Sequence, residues 1–236
     1  MIMSNPTDRM NIYVIVGLQS EADFLEPLIQ TLKSRFEAEG TYVVIRTFNP
    51  YDSNKNFITQ LINKRNDIHL YPEKVEQSTG GRKVQQYILT HGAKAPILLI
   101  GHGVGAVAAY HAAELLEKHN GSDIKFIVQI ASPKVPISPL FRNRVGFLMQ
   151  NKRGINNDPL SWNGTWSHSK YTFASHRYPG LLYNNSEKGR RAYAPGNVTQ
   201  VDISGQPTNY FSATTGIGSV TNLARTMNII WSWVRS

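Results

Sequence analysis

Residues Ile97–Leu116 read ILLIGHGVGAVAAYHAAELL, and no other stretch limits the fold as much. Four apolar residues run into Gly101, and glycines follow at every second place, 103 and 105. An alanine-rich stretch with helical character comes next. A strand that turns at once into a helix brings their backbones into contact, and glycines at 101 and 105 remove the side chains that would block this approach. The middle residue of such a turn takes a strained, positive-φ backbone, which glycine adopts at little cost.

The rest of the chain alternates in the same way. Asn11–Gly17, Thr41–Phe48, Ala95–Ile100, Lys125–Ala131 and Asn197–Ser204 are short, apolar and β-branched, as buried strands are. Between and after them lie helical patterns. Ser20 opens one that ends at Gly40; others cover Asn56–Lys64, Gly81–His91, Val104–His119 and Val220–Val234. In the last helix Leu223, Met227, Ile230, Trp231 and Val234 share a side. Strands alternating with helices predict an α/β fold: a mostly parallel sheet with helices on both faces.

The alternation stops at Ser132–Pro195, which is rich in Asn, Ser, Gly, Pro and Arg with scattered aromatics. It is too long for an ordinary loop, so 132–195 is expected to be a basic, aromatic-containing cap inserted in a single domain, 1–236. The formal charge of the chain is +9, and most of it sits here: Lys134 to Arg191 holds ten basic residues against two acids, a net of +8. Such a field favours anionic partners.

Several classes fall away. With no cysteine there is no disulfide, thiolate metal site or cysteine nucleophile, and no metal or other cofactor is expected. No apolar run reaches the roughly 18 residues of a membrane span, and MIMSNPTDRM carries no apolar leader, so the expected location is cytoplasmic.

Gly101-His102-Gly103-Val104-Gly105 resembles the nucleophile elbow of the α/β-hydrolase superfamily of lipases and esterases, which reads G-x-S-x-G. The resemblance places Gly103 at the nucleophile position and gives His102 a place beside the ligand. It implies an oxyanion hole from the N–H of Val104 and an N–H of the loop Gly17-Leu18-Gln19-Ser20, with Leu18 as the donor and Gln19 lining the site. The base of such enzymes lies between the last strand and the last helix. Here that stretch, Gly205–Ser219, has no histidine, and Asn209 stands in the expected place. His168 and His176 of the cap are the substitute bases, and Asp158 and Asp202 the candidate acids.

Two functions follow from these residues. One is a pseudo-hydrolase that binds a small acyl or anionic ligand, or a partner such as an anionic membrane surface. Arg142, Arg144, Lys152 and Arg153 are expected to help form a positive rim beside the pocket above Gly103. The other is a serine esterase or lipase whose serine has been replaced by Gly103. A weaker alternative is dinucleotide binding, because Gly101-x-Gly103-x-x-Ala106 also fits G-x-G-x-x-A. No nucleic-acid module is evident, and the sequence leaves the oligomeric state open.

Overall fold

A computed structural model describes residues 9–17, 22–51, 57–92, 94–151, 160–162, 164, 166 and 193–235. Six strands form one sheet: β1 (Arg9–Val16), β2 (Tyr42–Phe48), β3 (Ile97–His102), β4 (Ile124–Ile130), β5 (Val145–Gln150) and β6 (Asn197–Val201). Their order is β2-β1-β3-β4-β5-β6, and every pairing is parallel. The helices are α1 (Glu26–Ala38), α2 (Phe57–Ile68), α3 (Thr79–His91), α4 (Val104–Asn120) and α5 (Asn222–Val234). A two-stranded ribbon, β7 (Gly216–Ile217) with β8 (Val220–Thr221), precedes α5.

The period-two alternation of the strands sorts the core into two layers. Ile12, Val14, Leu98 and Ile100 point to one face, where Leu28, Leu32 and Phe36 of α1 meet Met227, Ile230 and Trp233 of α5. Tyr13, Ile15, Ile97 and Leu99 point to the other, under Val84 and Ile88 of α3 and Val107 to Leu116 of α4. A fully buried leucine contributes about 1.5–3 kcal/mol, so these layers hold the sheet. Parallel crossovers are right-handed, so the chain moves to the opposite face when the strand order reverses between β1 and β3. That reversal opens a crevice at the carboxyl ends of β1 and β3.

Local chemistry shifts several boundaries. Pro27 lies in the first turn of α1, and the chain enters that helix through a tighter 3-10 turn, Ala22–Leu25; Ser20, the expected start, lies outside the described residues. In α5 the buried aromatic is Trp233, not Trp231; the ring of Trp233 lies 2.3 Å from where a Cβ on Gly146 would stand. Trp231 instead packs on Phe36, with ring centroids 4.9 Å apart.

The largest difference is β5. Val145–Gln150, inside the expected cap, is a sheet strand between β4 and β6. The segment from Ser132 therefore runs back along α4, returns through β5, and only then leaves the sheet.

Buried polar groups tie α2, α3 and α4 together. Asp67 accepts the N–H groups of Thr79 (2.9 Å) and Gly80 (2.7 Å), which open α3, and the hydroxyl of Tyr51 (2.8 Å). Ser78 caps α3 by accepting the N–H of Gly81, and its Oγ lies 3.0 Å from His111 Nδ1 on α4. Burial pushes the His111 pKa down to about 3, so the ring is neutral.

Candidate functional site

Gly103 caps α4 at the carboxyl end of β3, with φ 60° and ψ −137°. A non-glycine residue is strained there by about 1–3 kcal/mol. Its N–H bonds to Ile130 O at 3.0 Å, and its carbonyl accepts Ala106 N–H at 3.2 Å. The three glycines of the turn have different duties. A Cβ at Gly101 would stand 2.1 Å from Ala106 Cα, and one at Gly105 would stand 2.5 Å from the carbonyl carbon of Val16. Gly17, ending β1, would meet Gly105 N at 2.3 Å. These contacts leave no room for side chains. At Gly103 the nearest atom to such a Cβ is Leu160 Cδ1, at an ordinary 3.7 Å. Position 103 thus has space for a side chain and carries none.

Val104 begins α4, so its amide is among the first N–H groups that lack a partner within the helix. Leu160, whose Cδ1 is the atom nearest to that position, begins a 3-10 turn, Leu160–Trp162. Behind that turn Gly164 forms a strand bridge to Lys134, and the buried Trp166 stands edge-on to Phe147 with centroids 5.1 Å apart. No feature of NNDPLSWNGTW marked Leu160 as the residue over the elbow.

His102 is only 2% exposed. Its ring lies among Phe24, Phe211 and Tyr210, at centroid distances of 5.4, 5.7 and 6.4 Å. Nε2 is 2.9 Å from the carbonyl of Pro207, which can only accept, so Nε2 carries the proton. Burial lowers the pKa of the ring and the carbonyl contact opposes this. His102 therefore docks the Pro207–Phe211 turn onto the elbow.

That turn carries Asn209, whose side chain lies against Gly205 and whose carbonyl accepts from Asn222 Nδ2 at 3.0 Å. Asp202 follows β6, three strands from β3. At about 4.8 Å per strand this is roughly 14 Å away. Its carboxylate accepts from Asn151 Nδ2 at 2.9 Å.

The expected basic rim needs correcting. Arg144 binds Glu117 near the end of α4, with Nη2 to Oε2 at 3.0 Å, and donates to the carbonyl of Ile124, which begins β4. Arg142 accepts Gly196 N–H through its carbonyl just before β6. Both arginines lie at the amino-terminal edge of the sheet, opposite Gly103. The cause is β5: its start must sit at that edge, and these residues immediately precede it. Lys152 and Arg153 of the expected rim, and Leu18, Gln19, Asp158, His168 and His176, lie outside the described residues.

Sequence reasoning also missed the buried Tyr110–Glu114 pair on α4. Their i, i+4 spacing was visible, but the partners that bury them were not. Among the described residues no group of three His, Asp or Glu side chains could hold a metal ion. Nor is any helix there long and apolar enough to cross a membrane.

No protein-family model and no curated protein sequence matches the chain. Among solved structures, the NocB thioesterase domain from the nocardicin cluster is 13% identical, covering 98% of this chain and 95% of that one, with a TM-score of 0.52. The fold is α/β-hydrolase-like. The product of gene lin2722 from Listeria innocua matches over 60% of this chain and 69% of its own, at 13% identity and a TM-score of 0.35.

Proposed function

We propose that the elbow binds the carbonyl or carboxylate end of a small acyl ligand and lacks the group to attack it. The observation that carries this is Gly103: it holds a positive φ at a strand-to-helix turn, and a Cβ built there would meet nothing nearer than Leu160 Cδ1 at 3.7 Å. The first amides of α4 supply donors and a partial positive charge for the polar end. Leu160 supplies an apolar surface for the first carbons of the chain. An acyl group also agrees with the kind of chemistry named for the NocB domain.

Two measurements on the same protein test the reading. Fluorescence titration with 11-(dansylamino)undecanoic acid is expected to saturate at one site per chain. Hydrolysis of p-nitrophenyl butyrate is expected to stay at the buffer rate. Turnover above buffer would show a nucleophile elsewhere and defeat the non-catalytic half. Absence of saturable binding would defeat the other half.

A further inference from the structure

Tyr110 and Glu114 stand one turn apart on α4, with exposures of 0% and 7%. The Tyr110 hydroxyl donates to Glu114 Oε1 at 2.5 Å and accepts the backbone N–H of Ser138 at 2.7 Å. Ser138 lies midway along the chain that joins β4 to β5. Val135, Ile137 and Phe141 of this segment bury against α4, and the Phe141 ring stands at 89° to that of Tyr110. Glu114 Oε2 is buried and has no hydrogen-bond partner.

That unpartnered oxygen makes the charge state matter. A neutral carboxyl group tolerates the site, whereas an ionised one strands negative charge away from water. The neighbours do not cancel this. Glu73, from the turn Pro72–Gln77, repels the charge. Lys118 attracts it from one turn further along α4, but it is exposed and already bound to Glu76 at 2.5 Å. Glu117 is engaged by Arg144. Burial is the largest influence, ahead of the opposing Tyr110 hydrogen bond, and the Glu114 pKa is pushed up to about 7.

We propose that Glu114, Tyr110 and Ser138 form a proton-controlled clasp: protonated Glu114 holds the 132–141 segment on α4, and ionisation releases it. On losing its proton to solvent, the carboxylate turns outward to water and Lys118. Tyr110 then loses its acceptor, and the Ser138 amide loses a fixed partner. The upper end of the same segment carries Lys134, which bridges to Gly164 behind the turn that holds Leu160 over the elbow. Release therefore loosens the anchor of that turn. The clasp concerns the chain's own motion and stands whether or not the elbow binds an acyl ligand.

Hydrogen exchange of the peptide spanning 133–141, corrected for the intrinsic pH dependence of exchange, tests it. An acid with a pKa of about 7 when clasped and an ordinary 4.5 when released opens about tenfold more at pH 8 than at pH 6. Glu114→Gln should remove that pH dependence. Glu73→Gln, an exposed change that leaves the clasp in place, should move its midpoint to lower pH. An unchanged exchange rate between pH 6 and 8 in the wild type would overturn the proposal. So would a tenfold rise that persists in Glu114→Gln. If Glu114→Gln does not fold, an unmoved midpoint in Glu73→Gln would overturn it.

Discussion

Leu160 Cδ1 lies 3.7 Å from the point where a Cβ on Gly103 would stand, in ordinary contact. The elbow thus accepts a small side chain sterically and resists it only through backbone strain. Gly103→Ser should fold and lose about 1–3 kcal/mol, because serine must hold φ near 60°. A new hydroxyl also needs a base. His102 has Nε2 committed to Pro207 and lies buried among aromatics. The serine variant should therefore hydrolyse p-nitrophenyl butyrate no faster than the wild type. Turnover by the variant would place a base from beyond the described residues at the elbow, and would favour the esterase reading.

Gly105→Ala should be far worse than Gly103→Ala, although the two positions are neighbours in the same turn. The added methyl at 105 would overlap the backbone of Val16 and Ile15, at 2.5 and 2.6 Å, and backbone cannot step aside. Overpacking typically costs about 1–3 kcal/mol, and contact with backbone that cannot yield puts this case at or beyond the top of that range. Urea denaturation of both variants should show a folded Gly103→Ala with a midpoint lowered by the strain of about 1–3 kcal/mol. Gly105→Ala should give a large fall or no folded protein. Equal effects would mean that β1 and α4 do not meet at this crossing.

How much of this was legible follows the same logic. The elbow could be read because three glycines in alternate places, set between an apolar run and an alanine-rich stretch, fit a tight strand-to-helix turn and little else. The order of strands and helices followed from hydrophobic periodicity. Val145–Gln150 escaped because VGFLMQ is short, contains glycine and lies between polar stretches, where composition outweighs a brief apolar run. Missing β5 then misplaced Arg142 and Arg144 at the wrong end of the sheet. The partners of Asp67 and His111 come from other segments of the chain, and so does the 132–141 segment that buries the local Tyr110–Glu114 pair; no local pattern encodes these contacts.

Asp67 is one such group. Replacing it with alanine leaves the N–H groups of Thr79 and Gly80 and the hydroxyl of Tyr51 without their acceptor at a buried site. Each stranded donor costs about 1–3 kcal/mol, so Asp67→Ala should lose more than about 3 kcal/mol. Thermal unfolding by circular dichroism checks this. A loss under about 1 kcal/mol would show that water replaces the carboxylate.

Two buried groups, His111 and Glu114, pull the pH dependence of stability in opposite senses. His111 has its pKa depressed from 6.5 to about 3. Its contribution is complete above pH 6.5 and falls as acid protonates the unfolded chain first. Glu114 has its pKa raised from 4.5 to about 7. Its contribution is complete below pH 4.5 and is lost as pH rises through 7. Each slope approaches about 1.4 kcal/mol per pH unit, so the two oppose each other between pH 4.5 and 6.5. Glu114→Gln should leave the His111 slope alone, so that stability rises with pH up to 6.5 and then levels. Urea midpoints at half-unit pH steps give the answer. A variant that follows the wild-type curve would remove Glu114 from the account.

The central claim, ligand binding at an elbow without a nucleophile, is tested most directly by titrating 11-(dansylamino)undecanoic acid into the wild type and Leu160→Trp. The larger ring is expected to crowd the approach to Gly103 while the sequence of the turn, 101–105, stays unchanged. The wild type should show saturable one-site binding, and Leu160→Trp at least a tenfold loss of affinity with thermal stability retained. Equal affinity in the two proteins would place the ligand elsewhere, and no saturable binding by the wild type would contradict the claim outright.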